Sequence, residues 1–365
     1  VKISRDTLLS ELRFVARASE RATEAHPILT YALWTVDDER IHLRATDLET
    51  TAETWVDTEG AGPAVSLAVP AAASVAVLAD MLDDQVTLEI SASDWKISDD
   101  SGRARLAGLA AEEFPEQPAL EGGGFEVETA RLRAAIEATR HAGSATTLQS
   151  SPTGFALMLA DPLTMAATDG HRGAVSGDLS ALAAGEEGPL LRLPANSVKL
   201  MESALQGDKV ATFRYDDRRI SVSTGDRRRI SFRRIEGGYP ALHTVIAKQR
   251  GSEHKFTADR ATLLAASRAA VSCPGLVDHT VVVEVTESGL EVWARSDYAD
   301  VRRQCAAEIA GPPAKLGVNG MYFVELLESI VGKEITIHYV QDGPFYYEST
   351  EGAVGEWRVL MPKRI

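Results

Sequence analysis

Apolar positions recur along this chain in two alternating periods. Over residues 6–19, Leu8, Leu9, Leu12, Val15 and Ala16 fall on one side of a 3.6-residue spiral. The spacing returns over residues 128–141 at Leu132, Ala135, Ile136 and Thr139. It returns again over residues 259–272 at Leu263, Leu264, Ser267, Ala270 and Val271. These stretches predict three amphipathic helices, with Asp6 and Asp259 as N-caps. A period of two follows each helix. In the first third it predicts strands over residues 29–36, 40–45 and 51–56, the first two joined by the turn Asp37-Asp38. A second helix then opens on Pro or Gly, over residues 70–82, 194–205 and 317–330, and proline suits a helix start. Further strands lead to a pair ending in proline: Phe114-Pro115, Tyr239-Pro240 and Met361-Pro362. The pair comes about 45 residues after the second helix begins in every case.

The pattern therefore repeats three times, at a period too long for a solenoid. It reads as three copies of one βαβ-containing domain, at residues 1–121, 122–249 and 250–365. Residues 116–124, with Pro118 and three glycines, read as the first linker, and residues 248–253 as the second. Residues 183–188 read as a loop inside the middle copy.

Composition narrows the class. The chain has 365 residues, 44% hydrophobic and 25% charged, which is ordinary for a soluble globular protein. Two cysteines, Cys273 and Cys305, make no disulfide framework, so packing is their expected role and a reducing, cytoplasmic setting is expected. Residues 1–4 carry no signal-peptide pattern, and no apolar run is long enough to span a membrane. The net charge of −15 is uneven. Residues 1–121 hold 10 basic against 23 acidic groups, residues 122–249 hold 16 against 14, and residues 250–365 hold 12 against 16. An acidic chain still binds phosphate if its basic groups share a face.

The candidate chemistry centres on Ala167-Thr168-Asp169-Gly170-His171-Arg172, after the apolar run 155–158. Thr-Asp-Gly suits a turn, and His171 and Arg172 then project a titratable ring and a cationic fork. Asp169 with His171 admits an acid–base reading, as in a hydrolase. No nucleophile and no second histidine at ligand spacing accompanies them, so a binding rim is the stronger reading. Thr46-Asp47 and Ser296-Asp297 hold equivalent places in the other two thirds. On the helices, Arg13, Arg17 and Arg21 share one face, away from Leu8, Leu12 and Val15. Arg133 with Arg140, Lys199, and Arg260 with Arg268 take polar helix positions. The runs Arg227-Arg228-Arg229 and Arg233-Arg234 flank a strand. There a solvated strand edge is favoured over DNA contact, with Asp216, Asp217 and Asp226 offsetting the charge.

Several stretches together resemble the bacterial DNA polymerase III β subunit, the replicative sliding clamp. They are residues 26–29 (His-Pro-Ile-Leu), 45–49 (Ala-Thr-Asp-Leu-Glu), 167–172, Gly238-Tyr239-Pro240, Asn319 with Tyr322, and the terminus 359–365 (Val-Leu-Met-Pro-Lys-Arg-Ile). The resemblance implies an α+β fold of three tandem clamp domains, each two helices on antiparallel sheets. It implies a head-to-tail dimeric ring, helices inside and sheets outside, closed around double-stranded DNA. It implies no catalysis, no cofactor and no metal. Partners would be the replicative polymerase, the clamp loader and other proteins carrying a clamp-binding motif. Carried over residue by residue, the partner pocket is Thr168, Gly170, His171, Arg172 and Gly173 on one wall, with Pro240 and Val245 on another. Asn319, Tyr322, Val359, Leu360, Met361, Pro362 and Arg364 complete it. The helix cations Arg13, Arg17, Arg21, Arg133, Arg140, Lys199, Arg260 and Arg268 would face DNA, and residues near Leu106 and Val271 would meet in the dimer. Three positions depart from the family. Gly173 replaces a large apolar residue, Thr244 replaces an arginine, and Lys363 stands where an apolar residue is common. They predict a wider or weaker pocket, or one fitted to other partners, as in a clamp paralogue.

Overall fold

The computed structural model describes residues 1–19, 26–37, 39–60, 64–117, 120, 122–143, 154–183, 190–205, 209–250, 252–349 and 354–365. Arg21, Asp38, Pro118 and most of the loop read at residues 183–188 lie outside them. The chain divides into two compact units, Val1–Ala130 with Asn196–Ile235, and Arg131–Ala195 with Glu236–Ile365.

The helices are α1 (Arg5–Ala16), α2 (Ala71–Asp80), α3 (Thr129–Thr139), α4 (Leu179–Ala183), α5 (Ala195–Ala204), α6 (Leu242–Gln249), α7 (Arg260–Val271) and α8 (Gly320–Glu328). The apolar spiral was sound and its caps were partly misread. Ser4, not Asp6, caps α1, accepting from the Thr7 amide at 3.4 Å. Asp259 caps α7 as expected, accepting from Thr262 at 2.8 Å. Helix α6 was not foreseen and runs into the stretch read as the second linker.

In the first unit a four-stranded sheet runs Lys2–Ser4, Gln85–Ile90, Asp94–Ser98, Arg103–Ala107. A nine-stranded sheet runs Gly123–Glu128, Val210–Tyr215, Arg219–Thr224, Arg228–Arg233, Thr50–Asp57, Arg40–Thr46, Tyr31–Val36, Val65–Pro70, Leu109–Ala110. Trp34 and Trp95 meet edge to face in its core at 5.5 Å, both fully buried.

The second unit mirrors this plan. Its nine-stranded sheet runs Leu190–Leu193, Gly154–Met158, Thr164–Thr168, Arg172–Gly177, Gly355–Leu360, Phe345–Ser349, Glu334–His338, Lys255–Asp259, Ala307–Ala310. Its four-stranded sheet runs Asp300–Cys305, Gly289–Arg295, Thr280–Thr286, Ala314–Asn319. Phe256, Phe323 and Phe345 anchor the core, which also takes in Cys273 and Cys305. Both cysteines are free thiols.

The βαβ reading needs correction. Every strand pairing among the described residues is antiparallel. The period of a strand after a helix is the same either way, so hydropathy alone does not give strand direction. The fold class is α+β.

Each nine-stranded sheet contains one seam where strands from different thirds of the chain pair. In the first unit Thr50–Asp57 joins Arg228–Arg233, with Thr50 opposite Phe232. In the second Arg172–Gly177 joins Gly355–Leu360, with Arg172 opposite Leu360. The arginine-rich strand is therefore interior and not an edge. Its cations are spent on acidic groups other than those foreseen. Arg228 holds Glu11 at 2.7 Å and covers Phe14 at 4.7 Å. Arg229 covers Trp55 at 5.1 Å and reaches Glu53, and Arg233 pairs with Glu49.

Candidate functional site

The 167–172 stretch is the hairpin turn beside the seam of the second unit. The Thr168 hydroxyl accepts from the Gly170 amide at 3.1 Å and donates to the Arg172 carbonyl at 2.6 Å. Asp169 accepts from the amides of His171 and Arg172 at 2.9 and 3.0 Å and from Arg172 Nε at 3.0 Å. Gly170 takes φ +87°, a conformation costly for a residue with a β-carbon. The carboxylate of Asp169 is thus committed to the turn and to Arg172, not to the imidazole. That arrangement positions a guanidinium and provides no Asp–His proton relay.

Arg172 is 9% exposed. Its guanidinium lies 4.0 Å over the Tyr322 ring and pairs with Glu325, both on α8. The exposed His171 ring stands 6.4 Å from Tyr322. Asn319 is the N-cap of α8, its Oδ1 accepting from the amides of Met321 and Tyr322 at 3.1 and 3.4 Å. Its oxygen is therefore occupied in fixing the helix that carries Tyr322.

The final strand supplies the other side. The Met361 amide donates to the His171 carbonyl at 2.9 Å, which extends the seam by one bond. Val359 and Leu360 are buried in two different clusters, as alternation on a strand requires. Met361, Pro362 and Arg364 are exposed, Met361 by 39%. Pro240 and Val245 are half-buried, and Val245 packs on the cluster that holds Val359, Leu242 and Ile246. The structure thus brings Thr168, Gly170, His171, Arg172, Tyr322 and Met361 together through direct contacts. Val245 and Gly173 reach them through Val359. For Arg364 it gives exposure only.

Two departures acquire a physical reason, and the wider-pocket expectation fails at both. A β-carbon on Gly173 would come within 2.5 Å of the Leu242 side chain and 3.1 Å of Val359. Leu242 fills the volume that a side chain at residue 173 would occupy, so no apolar wall is missing. Lys363 does not face the groove. Its amide donates to the Gly317 carbonyl at 2.8 Å, and its ammonium lies 3.4 Å from the Asp278 carboxylate. The tail lies so close that a β-carbon on Gly317 would meet the Lys363 carbonyl at 2.3 Å. Thr280 first, then Lys363, hold the Asp278 carboxyl below the usual carboxylate range. Leu242 and Glu325 went unnoticed in the sequence. Leu242 sits three residues before Val245, the spacing of neighbours on one helix face, which was the available signal.

His141, in the single turn Arg140–Ala142, packs beneath this corner against α8 and the strand Arg172–Gly177. Burial, then the charges of Arg358, Arg172 and Arg140, push its pKa down to about 2. That is below the value near 6.5 of an unfolded histidine. Its stabilising contribution is complete above about pH 6.5, because neither state is protonated there. As pH falls below that, only the unfolded chain takes the proton, and stability drops by up to about 1.4 kcal/mol per pH unit. Melts between pH 7.5 and 5 should fall less steeply for His141→Gln than for the parent chain. Parallel slopes would remove His141 from this role.

The other expected residues lie apart. Arg13 on α1 and Arg17 at its C-cap are exposed, beside a shallow cleft of about 350 Å³ that Phe14 and Arg228 also line. Arg133 and Lys199 are exposed on α3 and α5. Arg140 pairs with Glu137 at 2.8 Å and Arg268 with Glu328 at 2.6 Å. Arg260 does not present a cation outward as expected. It is half-buried and donates to the carbonyls of Gly332 and Leu327 at 2.8 and 3.2 Å. Val271 is half-buried against α8, where a β-carbon on Gly320 would touch it at 2.6 Å.

Comparison with known proteins follows the same lines. Residues 1–118 match the family model for the DNA polymerase III beta subunit, N-terminal domain. The beta sliding clamp of Synechococcus elongatus is 26% identical over 90% of both chains, and that of Synechocystis 26% over 98% of this chain and 97% of its own. The first third of the chain thus matches a β-subunit family model, and nearly the whole chain is similar to bacterial β sliding clamps. Solved sliding clamps share the fold over 100% of this chain and 99% of theirs. That of Bartonella birtlesii, bound to griselimycin, has a TM-score of 0.90 at 21% identity, and the DNA polymerase III beta subunit of Thermotoga maritima 0.89 at 23%. Among the described residues, no helix is long and apolar enough to cross a membrane.

Proposed function

We propose that the chain is a processivity clamp: two copies close head to tail around duplex DNA, and partner proteins dock peptide segments in the groove at His171, Arg172, Tyr322 and Met361. The chain is read as three tandem domains, residues 1–121, 122–249 and 250–365. One observation carries the ring. Each third has two outer strands that follow a hairpin. Two such strands pair at the seam of each unit, which uses four of the six. The remaining two, Arg103–Ala107 and Asp300–Cys305, end their sheets with one side unpaired. A third seam, made between copies, pairs both and covers these two edges. Such a contact joins unlike surfaces, and two of them close a ring.

The helix cations support the DNA reading. Arg13, Arg17, Arg133 and Lys199 are exposed, and phosphate contacts carry no sequence information, as sliding requires. The chain's overall charge of −15 would keep DNA off the remaining surface.

The groove reading is tested by titrating a blocked clamp-binding peptide into parent and variants. Met361→Ala should weaken binding by about 1 kcal/mol or more, roughly fivefold to tenfold. Gly173→Leu should also weaken it, because the new side chain displaces Leu242 and overpacks the cluster under the groove. Unchanged affinity in Met361→Ala would place the docking site elsewhere.

A further inference from the structure

The seam of the first unit carries its own cleft, of about 650 Å³, that no reading so far has used. It is built on the same plan as the groove at His171. The Thr46 hydroxyl donates to the Thr50 carbonyl at 3.0 Å and accepts from the Leu48 amide at 3.0 Å. Asp47 accepts from the amides of Glu49 and Thr50 at 3.1 and 2.6 Å. The Arg233 amide donates to the Glu49 carbonyl at 2.9 Å, as that of Met361 does to His171. Pro115 lines the cleft from the pair Phe114-Pro115, as Pro240 belongs to Tyr239-Pro240.

Three observations point to an occupant. Arg44 Nε and Gln117 Oε1, both lining the cleft, are buried and have no hydrogen-bond partner among the described residues. One is a donor and the other an acceptor, and buried polar atoms of that kind call for partners. An extended peptide offers a carbonyl and an amide at adjacent positions. Leu48 holds φ +73° at the rim, where the other turn has Gly170 at φ +87°, and is 61% exposed. A residue with a β-carbon is kept in an unfavourable conformation that leaves an apolar side chain in solvent beside the cleft. The guanidinium of Arg44 is half-buried and held over Phe114, one Nη donating to the Pro115 carbonyl at 3.2 Å, with Nε left over; two of the lining acids are committed too. Glu49 pairs with Arg233, and Asp216 accepts from the amides of Arg218 and Arg219. Glu116 and Asp217 at the mouth are exposed and screened by solvent.

We infer that this cleft is a second docking groove, for an extended peptide that carries an acidic side chain to Arg44 and an apolar one to Leu48. The inference borrows its analogy from the docking reading of the first groove, and the variants below separate the two.

The probe is a pentapeptide alternating leucine and aspartate, blocked at both ends and titrated calorimetrically into the full-length chain. Arg44→Gln and Leu48→Gly should each weaken one class of site about tenfold, while Met361→Ala leaves that class unchanged. Leu48→Gly relieves the backbone and keeps the fold, so its effect reads the groove and not stability. Lysine in place of aspartate should abolish this binding. An Arg44-dependent site that survives Met361→Ala supports the second groove even if the first takes no peptide. Absence of binding, insensitivity to both Arg44→Gln and Leu48→Gly, or equal affinity for the lysine peptide would overturn it.

Discussion

Arg105→Pro should turn the proposed dimer into single 39.2 kDa chains at concentrations where the parent is expected to sediment as a pair. The register gives the reason. Asp99 donates to the Gly102 carbonyl, and Ala104 and Leu106 stand opposite Ile97 and Trp95. Alternation in an antiparallel ladder then points the amides of Arg103, Arg105 and Ala107 at the open edge. The same count on Ser296 and Ala299 points the amides of Asp300, Arg302 and Gln304 outward. Proline at residue 105 removes an outward donor and leaves the pairing with Lys96 intact, a position where sheets tolerate it. Proline there removes one bond of the seam and leaves its acceptor unpaired, which costs about 1–3 kcal/mol, or roughly fivefold to a hundredfold in Kd. Arg105→Ala controls for the loss of the ion pair with Asp94, whose carboxylate keeps Lys96 as a second partner. Val271→Glu would be a poor probe, since Val271 packs on α8 and its loss would unsettle the fold itself. A parent-like dimer in Arg105→Pro would remove this strand from the interface.

Arg358→Ala should be the most destabilising single change near the groove, by about 3–5 kcal/mol. Arg358 is fully buried on the final strand. Its guanidinium donates to the carbonyls of Val175 and Trp357 at 3.3 and 3.0 Å, to Ser329 Oγ at 3.3 Å, and to Glu356 at 3.0 Å. It ties the end of α8 to both strands of the seam. Burial pulls its pKa down, and Glu356 opposes that pull. Alanine leaves a cavity and strands the Glu356 carboxylate. Arg358→Met fills the space and should recover about half of the loss, because flexible methionine packs well there. Urea unfolding of the three chains measures both steps. Equal stability of Arg358→Ala and the parent would mean the guanidinium contributes nothing net.

The first helix and the one at residues 260–271 were legible because hydrophobic period survives divergence: Leu8, Leu12 and Val15, like Leu263 and Ala270, face a core whatever else changes. The turn at Thr168 was legible because Thr, Asp and Gly have few other uses in that order. What escaped were relations between distant segments. Leu242 lies 69 residues from Gly173 in the numbering and fills its missing side chain. Lys363 reaches Asp278, and Arg228 reaches Glu11 from more than two hundred residues away. Charge runs mislead for the same reason, since their partners are not their neighbours. Cap choice failed at Asp6 because Ser4 and Asp6 both suit an N-cap, and only backbone geometry separates them.

The claim that the chain encircles DNA is tested most directly by retention. The protein is loaded by a clamp loader onto nicked circular DNA, washed in high salt, and the DNA is then cut once. Topological linkage predicts that the protein stays on the circle through the wash and leaves when the circle is linearised, since its phosphate contacts are screened by salt. Equal retention on circle and line, or release from the intact circle, would contradict it.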